Sequence, residues 1–214
     1  MIRKTLKYYF STEGETEKWY LDYLEKIINS SHSLYKVSLE SKKDSPIGYA
    51  KRVTIIQAAN IYHVFDIEST KEQDITHFRN TLNYMKKAEK LGKSIKYKIC
   101  YSNLTFELWM ILHKMNFNKS LVNKKDYLVA INKGFNVKFK SLDEYKEEKH
   151  FKALLSKITI DDVKQAVKRA NNIMKQNGIK YQQKNNNGYM WYEENPSTEV
   201  GVVVGQILQK CGLY

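Results

Sequence analysis

The chain has 214 residues, of which 36 are Lys or Arg and 23 are Asp or Glu, so its net charge at pH 7 is +13. Hydrophobic residues make up 42% and aromatic residues 13%, which excludes disorder along the whole length. No apolar stretch is long enough to span a membrane. The charge indicates a polyanionic partner such as nucleic acid, although a lysine- and asparagine-rich bias of the gene is the alternative explanation.

The overall sequence predicts one cytoplasmic domain spanning residues 1–214. The first residues run directly into a strand-like pattern and lack the apolar segment of a signal peptide. Cys100 and Cys211 lie far apart and outside any CxxC pattern, so we expect buried free thiols rather than a disulfide framework or a zinc ribbon.

Residues 1–120 alternate between strand-like and helix-like patterns. Ser45 followed by Pro46 is a typical helix start. Strands are predicted at 6–10, 35–39, 61–65 and 95–101, and helices at 15–28, 46–59, 73–91 and 106–115. This alternation predicts an α/β fold with a mostly parallel central sheet flanked by helices.

Residues 121–214 are predicted to be largely helical and to complete the same domain. Thr159 and Asp162 have the spacing of a capping box, and Asn195 with Pro196 predicts the start of a last helix. Helices are predicted at 126–131, 143–156, 161–176 and 196–210, with a surface loop at 184–188.

Carboxylates follow two of the predicted strands, where ligands bind in open α/β sheets. Glu13 follows the first strand, and Glu17 projects the same way if a helix begins near residue 15. Asp66 and Glu68 end the central strand and share one of its faces. These four acids are expected to converge on Mg²⁺ or Mn²⁺, which would offset their repulsion. Alternatively, Glu17 only stabilises a helix N-terminus, and Asp66 and Glu68 cap the next segment.

Four blocks of sequence, in order, resemble known motifs. Residues 13–17, EGETE, look like the E-G-x-T-E signature of Toprim domains, and residues 66–68, DIE, are similar to the acidic D-x-D pair of that fold. Residues 102–113 resemble the S-N-P-C-F-E-L-W-L-L-L-H block of the RloB-like proteins, and residues 195–198 match their N-P-S-T element. The chain departs from these patterns in two places: Leu104 and Thr105 replace Pro-Cys, and Glu68 replaces the second Asp.

The resemblance implies a Toprim-like nuclease of a bacterial anti-phage or abortive-infection system, often encoded beside an AAA-type ATPase partner. It implies that Glu13 is the general acid/base or metal-proximal residue, and that Glu17, Asp66 and Glu68 are catalytic metal ligands. Glu107 either joins this acidic cluster or faces solvent in the first turn of its helix.

Several polar residues of the later blocks are candidates for binding substrate or phosphate. Ser102 or Asn103 is also suited to capping the next helix, and His113 is either a substrate contact or a packed core residue. Asn195, Ser197 and Thr198 are expected at a helix N-terminus, where they either bind phosphate or only cap the helix. The aromatic and lysine-rich residues 180–191 suit stacking on bases, or form a mobile surface loop with one buried anchor.

We therefore expect a metal-dependent endonuclease that cuts DNA or RNA and does not bind a membrane. The alternative is a non-catalytic nucleic-acid-binding or sensor subunit of an ATPase-partnered defence complex. Either protein is compatible with a homo-oligomer.

Overall fold

The computed structural model describes residues 3–214 and contains a sheet of four strands in the order β2-β1-β3-β4. The strands are β1 (Thr5–Thr12), β2 (Lys36–Lys43), β3 (Ala59–Ile67) and β4 (Ile95–Asn103). All three pairings are parallel, and helices α1 (Glu15–Asn29), α2 (Pro46–Arg52) and α3 (Glu72–Glu89) connect successive strands. The predicted α/β fold with a parallel central sheet is confirmed.

The sheet is covered on both faces, as parallel sheets require. On one face, Phe10 and Val64 pack with Trp109 and the neighbouring helices. On the other face, Phe65 packs with α3 and with Trp191. This two-sided burial explains why β3 reads as a nearly continuous apolar run in the sequence.

The C-terminal part is mainly helical, as predicted. It contains α4 (Glu107–Leu112), α5 (Lys125–Phe135), α6 (Leu142–Lys146), α7 (Glu148–Leu155), α8 (Ile160–Lys180), the hairpin of β5 (Lys184–Asn186) and β6 (Tyr189–Trp191), and α9 (Val200–Lys210). The predicted capping box opens α8: Thr159 Oγ1 accepts the N–H of Asp162, and Asp162 Oδ2 accepts the N–H of Thr159. None of the helices within residues 3–214 is long and apolar enough to cross a membrane.

One predicted helix is much shorter in the structure and another is divided. α2 ends at Arg52 instead of residue 59, because the Lys93 ammonium donates to the carbonyls that end the helix and residues from Ala59 onward join β3. The helix predicted over 143–156 is divided into α6 and α7 at Glu147, whose ψ of 133° is not helical.

The last helix begins at Val200 and not at residues 195–196, so that prediction is wrong. The preceding residues instead continue the sheet edge beside β4. Asn103 N–H donates to the Ser197 carbonyl at 2.8 Å, and Thr198 forms an antiparallel bridge with Ser102. Because this backbone is bonded to β4, it cannot turn into a helix until the bonding ends.

Residues 184–191 form a packed hairpin and not a loop with one anchor. Tyr189 and Trp191 are both buried, and the Trp191 ring lies 5.2 Å from that of Phe78. Asn187 and Gly188 have φ values of 56° and 82°, which suit a tight hairpin turn.

Two glycines of α9 lie at a close helix contact, and the two thiols are buried as the sequence predicts. A Cβ at Gly201 would lie 2.5 Å from that of Ala170, and one at Gly205 would lie 2.9 Å from Val167, so both glycines allow α8 and α9 to pack closely. Cys100 and Cys211 are buried and free.

Candidate functional site

The C-terminal ends of β1 and β3 lie side by side and form one wall of a cleft of about 390 Å³. Glu13 directly follows β1, and its N–H donates to the Val64 carbonyl at 3.0 Å. Its carboxylate is 3.5 Å from the backbone N–H of Asp66. Glu17 and Glu68 line the same cleft, so the structure brings together the four acids that the sequence singles out. We call this space the acidic cleft.

Glu17 is held under the N-terminus of α1 by its neighbours. The side chain is buried, and the Thr16 hydroxyl donates to its Oε2 at 3.0 Å. A Cβ at Gly14 would lie only 2.3 Å from the same oxygen. Gly14 is therefore needed for this position of the Glu17 carboxylate, which gives the glycine of the EGETE block a steric role.

Glu107, the first residue of α4, is 1% exposed and belongs to the acidic cluster. The Thr105 hydroxyl donates to its carboxylate, and its Oε1 lies 3.2 Å from the Lys146 ammonium. The alternative of a solvent-facing glutamate is therefore wrong. The short turn between β4 and α4 directs this side chain inward, where it faces Glu17 and Asp66.

The three inner carboxyl groups influence one another electrostatically. Burial, and then the charges of Glu17 and Glu107, raise the pKa of Asp66 well above its usual range. Burial and Glu107 likewise raise the pKa of Glu17. Burial lowers the pKa of Lys146, but Glu107 and the other two acids raise it more, so its ammonium remains charged. The cluster therefore favours additional positive charge.

The outer acids of the cleft have their own partners. Glu13 Oε1 lies 3.2 Å from Nε2 of His77, which projects from α3. Glu68 is more than half exposed and forms a 3.0 Å ion pair with Lys124. Glu13 and Glu68 thus lie at the rim, and the inner acids lie beneath them.

Carboxylate oxygens are the ligands that Mg²⁺ and Mn²⁺ prefer. Within residues 3–214, no three His, Cys, Asp or Glu side chains are arranged so that they could hold a metal ion together. Mg²⁺, however, is usually held by one or two carboxylates, with water and substrate phosphate as its other ligands. Glu17 and Asp66 fit such a site, because their mutual repulsion would be relieved by a cation.

Three polar residues that line the cleft, and one buried beside it, have no signal in the sequence. His77 and Lys124 lie at the rim, Lys146 lines the cleft from α6, and Tyr145 of α6 is buried. The Tyr145 hydroxyl is buried without a hydrogen-bond partner among the described residues, and Glu107 and Glu17 add to the effect of burial in raising its pKa. α6 packs against α7, which packs against α1, and this arrangement brings Lys146 and Tyr145 to the acids, while His77 comes from α3 and Lys124 precedes α5. Because these segments are distant in the chain, no local pattern could have identified the residues.

The polar residues after β4 have structural partners. The Ser102 hydroxyl is 3.1 Å from that of Thr198, and both side chains are buried. Asn103 Nδ2 donates to the carbonyls of Tyr192 and Glu194 at 3.1 and 2.8 Å. Neither Ser102 nor Asn103 caps α4, which follows Phe106.

The other predicted substrate-binding residues are also turned inward. His113 is 1% exposed, and its Nε2 shares a hydrogen bond with the Tyr20 hydroxyl. Burial lowers the pKa of its imidazole to about 4. Ser197 and Thr198 are fully buried, so they are not open to a phosphate at the start of α9. The Thr198 hydroxyl instead accepts the N–H of Val200 at 3.3 Å, which agrees with the capping alternative. Asn195 is half-buried and bonded to Tyr127 and the Leu121 carbonyl.

Comparison with known proteins gives one match. A family model described as RloB-like protein matches residues 8–207, which include the four sequence blocks and every acid of the cleft. Searches of the curated proteins and of the solved structures found no match.

Proposed function

Because the chain belongs to the RloB-like protein family, we propose that it is a nuclease that requires Mg²⁺ or Mn²⁺ and hydrolyses phosphodiester bonds of DNA or RNA in bacterial defence against phage. The observation that supports this proposal is the convergence of Glu17, Asp66 and Glu107 at the carboxyl ends of three parallel strands, β1, β3 and β4. There, in addition to burial, Glu107 raises the pKa of Glu17, and both of them raise the pKa of Asp66. The net charge of +13 supports a polyanionic substrate for this otherwise acidic cleft.

The residues of the acidic cleft would have different roles, depending on how deeply each side chain is buried. Glu17 and Asp66 would hold the metal ion, which when bound neutralises the carboxylates and draws electron density from the phosphate. The ion pair with Lys146 fixes the Glu107 carboxylate, so that its negative charge stays beside the other two inner acids. At the rim, Glu13 is positioned by His77 and is open enough to accept a proton from the attacking water.

Two lysines would bind the oxygens of the substrate phosphates. Lys124 and Lys146 both line the acidic cleft, and each already forms an ion pair with one of its acids. Lys124 could exchange the exposed Glu68 carboxylate for a phosphate oxygen, and Lys146 could donate a second N–H to phosphate while it stays paired with Glu107.

The test is cleavage of a panel of plasmid, single-stranded DNA and total tRNA in the presence of Mn²⁺ or Mg²⁺. We expect Asp66→Asn and Glu13→Gln each to reduce the rate by about 100-fold or more, since each removes a charge at the reacting centre. Glu148→Gln is the matched control, because this exposed glutamate on α7 lies outside the acidic cleft and pairs with Lys152. Cleavage at the wild-type rate by both cleft variants would contradict the proposal.

A second candidate is a nucleic-acid-binding or sensor subunit without turnover, acting with an AAA-type ATPase partner. It is favoured by the two lysines that already pair with two of the acids and by the lack of a three-ligand metal set within residues 3–214. Calorimetric titration with Mn²⁺ separates the candidates: the nuclease takes up metal and loses that uptake in Asp66→Asn. Binding of nucleic acid that survives EDTA, with no cleavage under either metal, would favour the subunit.

A further inference from the structure

A cleft of about 700 Å³ opens at the end of the sheet opposite to the acidic cleft. It exists because β1 and β3 do not pair along their whole length. β1 begins at Thr5, but the ladder between the two strands begins only where Tyr9 lies beside Ile61. The first residues of β1 and the segment that leads into β3 therefore stand apart and form the walls of this space. We call it the basal cleft.

Aromatic side chains form much of the wall of the basal cleft. Tyr8, Tyr9 and Tyr62 line it, and each is only partly buried. The Tyr62 ring stacks on the buried ring of Phe10, with 5.3 Å between the ring centroids. Ile56 adds an apolar side chain that is 94% exposed. An aromatic ligand in this cleft would cover exposed apolar surface and contact the part of the Tyr62 ring that Phe10 leaves free.

The basal cleft has the opposite charge to the acidic cleft. None of the described residues that line it is an aspartate or a glutamate. On the neighbouring strand β4, Lys96 and Lys98 lie beside Asn60 and Tyr62 in the register, so these lysines share a sheet face with two residues of the cleft. Both lysines are exposed. This surface would therefore attract a polyanion without the help of a cation.

Other polar side chains of the basal cleft are open to a ligand. Gln57 and Asn60 line it and are exposed, and each amide can both donate and accept hydrogen bonds at a base or a sugar. Lys7 also lines it and lies 3.6 Å from Glu40. Because both partners of that ion pair are about half exposed, it is weak, and Lys7 can bind a phosphate as well.

We propose that the basal cleft is a second nucleic-acid site, which binds unpaired nucleotides of a strand apart from the acidic cleft. Aromatic rings beside lysines hold single strands by stacking on bases and by attraction of phosphates, without regard to sequence. A duplex would not be held in this way, because its bases are already stacked on one another. The inference rests on the proposed function for the nucleic-acid class of the ligand, but it requires neither a metal ion nor turnover.

The experiment measures binding in EDTA, so that neither a metal ion nor cleavage contributes. Fluorescein-labelled oligothymidine, alone or as a duplex with oligodeoxyadenosine, is titrated with the protein and followed by anisotropy. Tyr62→Leu removes the aromatic ring and leaves an apolar side chain beside Phe10. We expect it to weaken binding of the single strand by about 10-fold and of the duplex by less than about 3-fold, since paired bases cannot stack on the ring.

A double variant, Lys96→Gln with Lys98→Gln, tests the charge of the same surface and keeps the core intact. We expect it to weaken binding of the single strand by about 10-fold at low salt, because two phosphate contacts are lost. Lys168→Gln with Lys175→Gln is the matched control: it removes the same charge from exposed positions of α8, outside the basal cleft. Equal losses in the two double variants would show that only net charge matters and would overturn the proposal.

Thermal unfolding of each variant shows that it is folded, and the lysine variants carry the test if Tyr62→Leu is not. A wild type that does not bind the single strand overturns the proposal, as does a folded Tyr62→Leu that weakens strand and duplex equally or neither of them. If the single strand binds as expected but no metal supports cleavage, the nuclease proposal fails and the basal site stands. If cleavage occurs while these variants bind like the wild type, only the basal site fails.

Discussion

Single carboxyl groups determine the chemistry of the acidic cleft. Asp66 is half-buried at the end of β3, and Glu17 and Glu107 are almost fully buried beside it. Asp66 and Glu17 lose hydration on burial and are repelled by neighbouring carboxylates, so the pKa of each is raised. Above the ordinary pKa of a carboxyl group, the folded protein therefore keeps protons on these side chains that the unfolded chain has released. A bound cation could take the place of those protons.

This linkage predicts how stability depends on pH. Because the pKa of Asp66 is raised above its ordinary 3.8, folded Asp66 keeps its proton to higher pH than the unfolded chain does. Its stabilising contribution is present at low pH and is lost as the pH rises from about 3.8 through the pKa of the folded state. Asp66→Asn should therefore unfold at a higher temperature than the wild type at pH 8, with the difference vanishing near pH 4.

Thermal unfolding followed by circular dichroism from pH 4 to pH 8 measures this difference. Mn²⁺ should raise the wild-type midpoint at pH 8, since a bound cation replaces the proton, and should have little effect on Asp66→Asn. Parallel loss of stability in both proteins as the pH rises would contradict the assigned repulsion.

The ion pair of Glu107 and Lys146 gives a second prediction at this scale. Lys146→Met should destabilise the protein by about 1–3 kcal/mol, less than for a fully buried pair, because the lysine is 42% exposed. Adding Glu107→Gln to Lys146→Met should recover most of the loss. Urea unfolding of both single variants and the double variant gives the coupling energy, and additive effects would show that the pair is not the cause.

At the scale of elements, the junction of β1 and α1 determines where the acids lie. β1 ends at Thr12, Glu13 is tied to β3, and Gly14 is the N-cap of α1 in an extended conformation. The turn is short because the absence of a Cβ at Gly14 lets the Glu17 carboxylate fold back against it. The end of β1 and the start of α1 therefore place two acids, Glu13 and Glu17, within one turn of the chain.

Gly14→Ala tests this geometry without removing any charge. The added Cβ would meet Glu17 Oε2 at 2.3 Å and displace that carboxylate, while the φ of −112° accommodates alanine. We expect Mn²⁺ uptake and cleavage to fall by about 10-fold or more, because a displacement of about 1 Å is costly at a catalytic group. The unfolding midpoint should change little.

Gly48→Ala in α2 is the matched control. Its Cβ would meet the Asp44 carboxylate at 2.2 Å, so it displaces an acid outside the cleft by the same mechanism. Equal loss of metal uptake in both variants would show that the effect of Gly14→Ala is not local to Glu17.

At the scale of the whole molecule, a strongly basic protein surrounds an acidic cleft. The excess of 13 positive charges would attract a polyanion, and the inner acids would repel it unless a cation were bound. In the proposed nuclease, binding and positioning of a strand are therefore separate properties. The first would depend on lysines of the surface, and the second would depend on a few side chains at the end of the sheet.

The first of these properties, binding of a strand by surface lysines, should depend on the salt concentration. Between 50 and 200 mM salt, we expect the affinity for single-stranded oligonucleotide in EDTA to fall by about 10-fold or more, as counterions compete for the phosphates. Anisotropy titrations at several salt concentrations give the slope. Asp66→Asn should show the same slope, since it changes no phosphate contact; an affinity that does not depend on salt would contradict an electrostatic interface.

The sequence by itself determined the alternating strands and helices, the parallel sheet, and the position of Glu13, Glu17 and Asp66 at strand ends. These features depend on local periodicity and on the rule that parallel strands end at a common edge. The capping box of α8 and the close packing at Gly201 were likewise predictable, because each involves residues near in sequence or a single small side chain.

Only the tertiary structure decided which further side chains join the acidic cleft and which predicted site residues are buried away from it. Lys146 reaches Glu107 from α6, far along the chain, and Ser197 is withdrawn from the surface by its bonding to β4. The physical reason is the same in both cases. Contacts between distant segments depend on how whole elements pack and on where each backbone finds hydrogen-bond partners, and local sequence patterns carry no information about either.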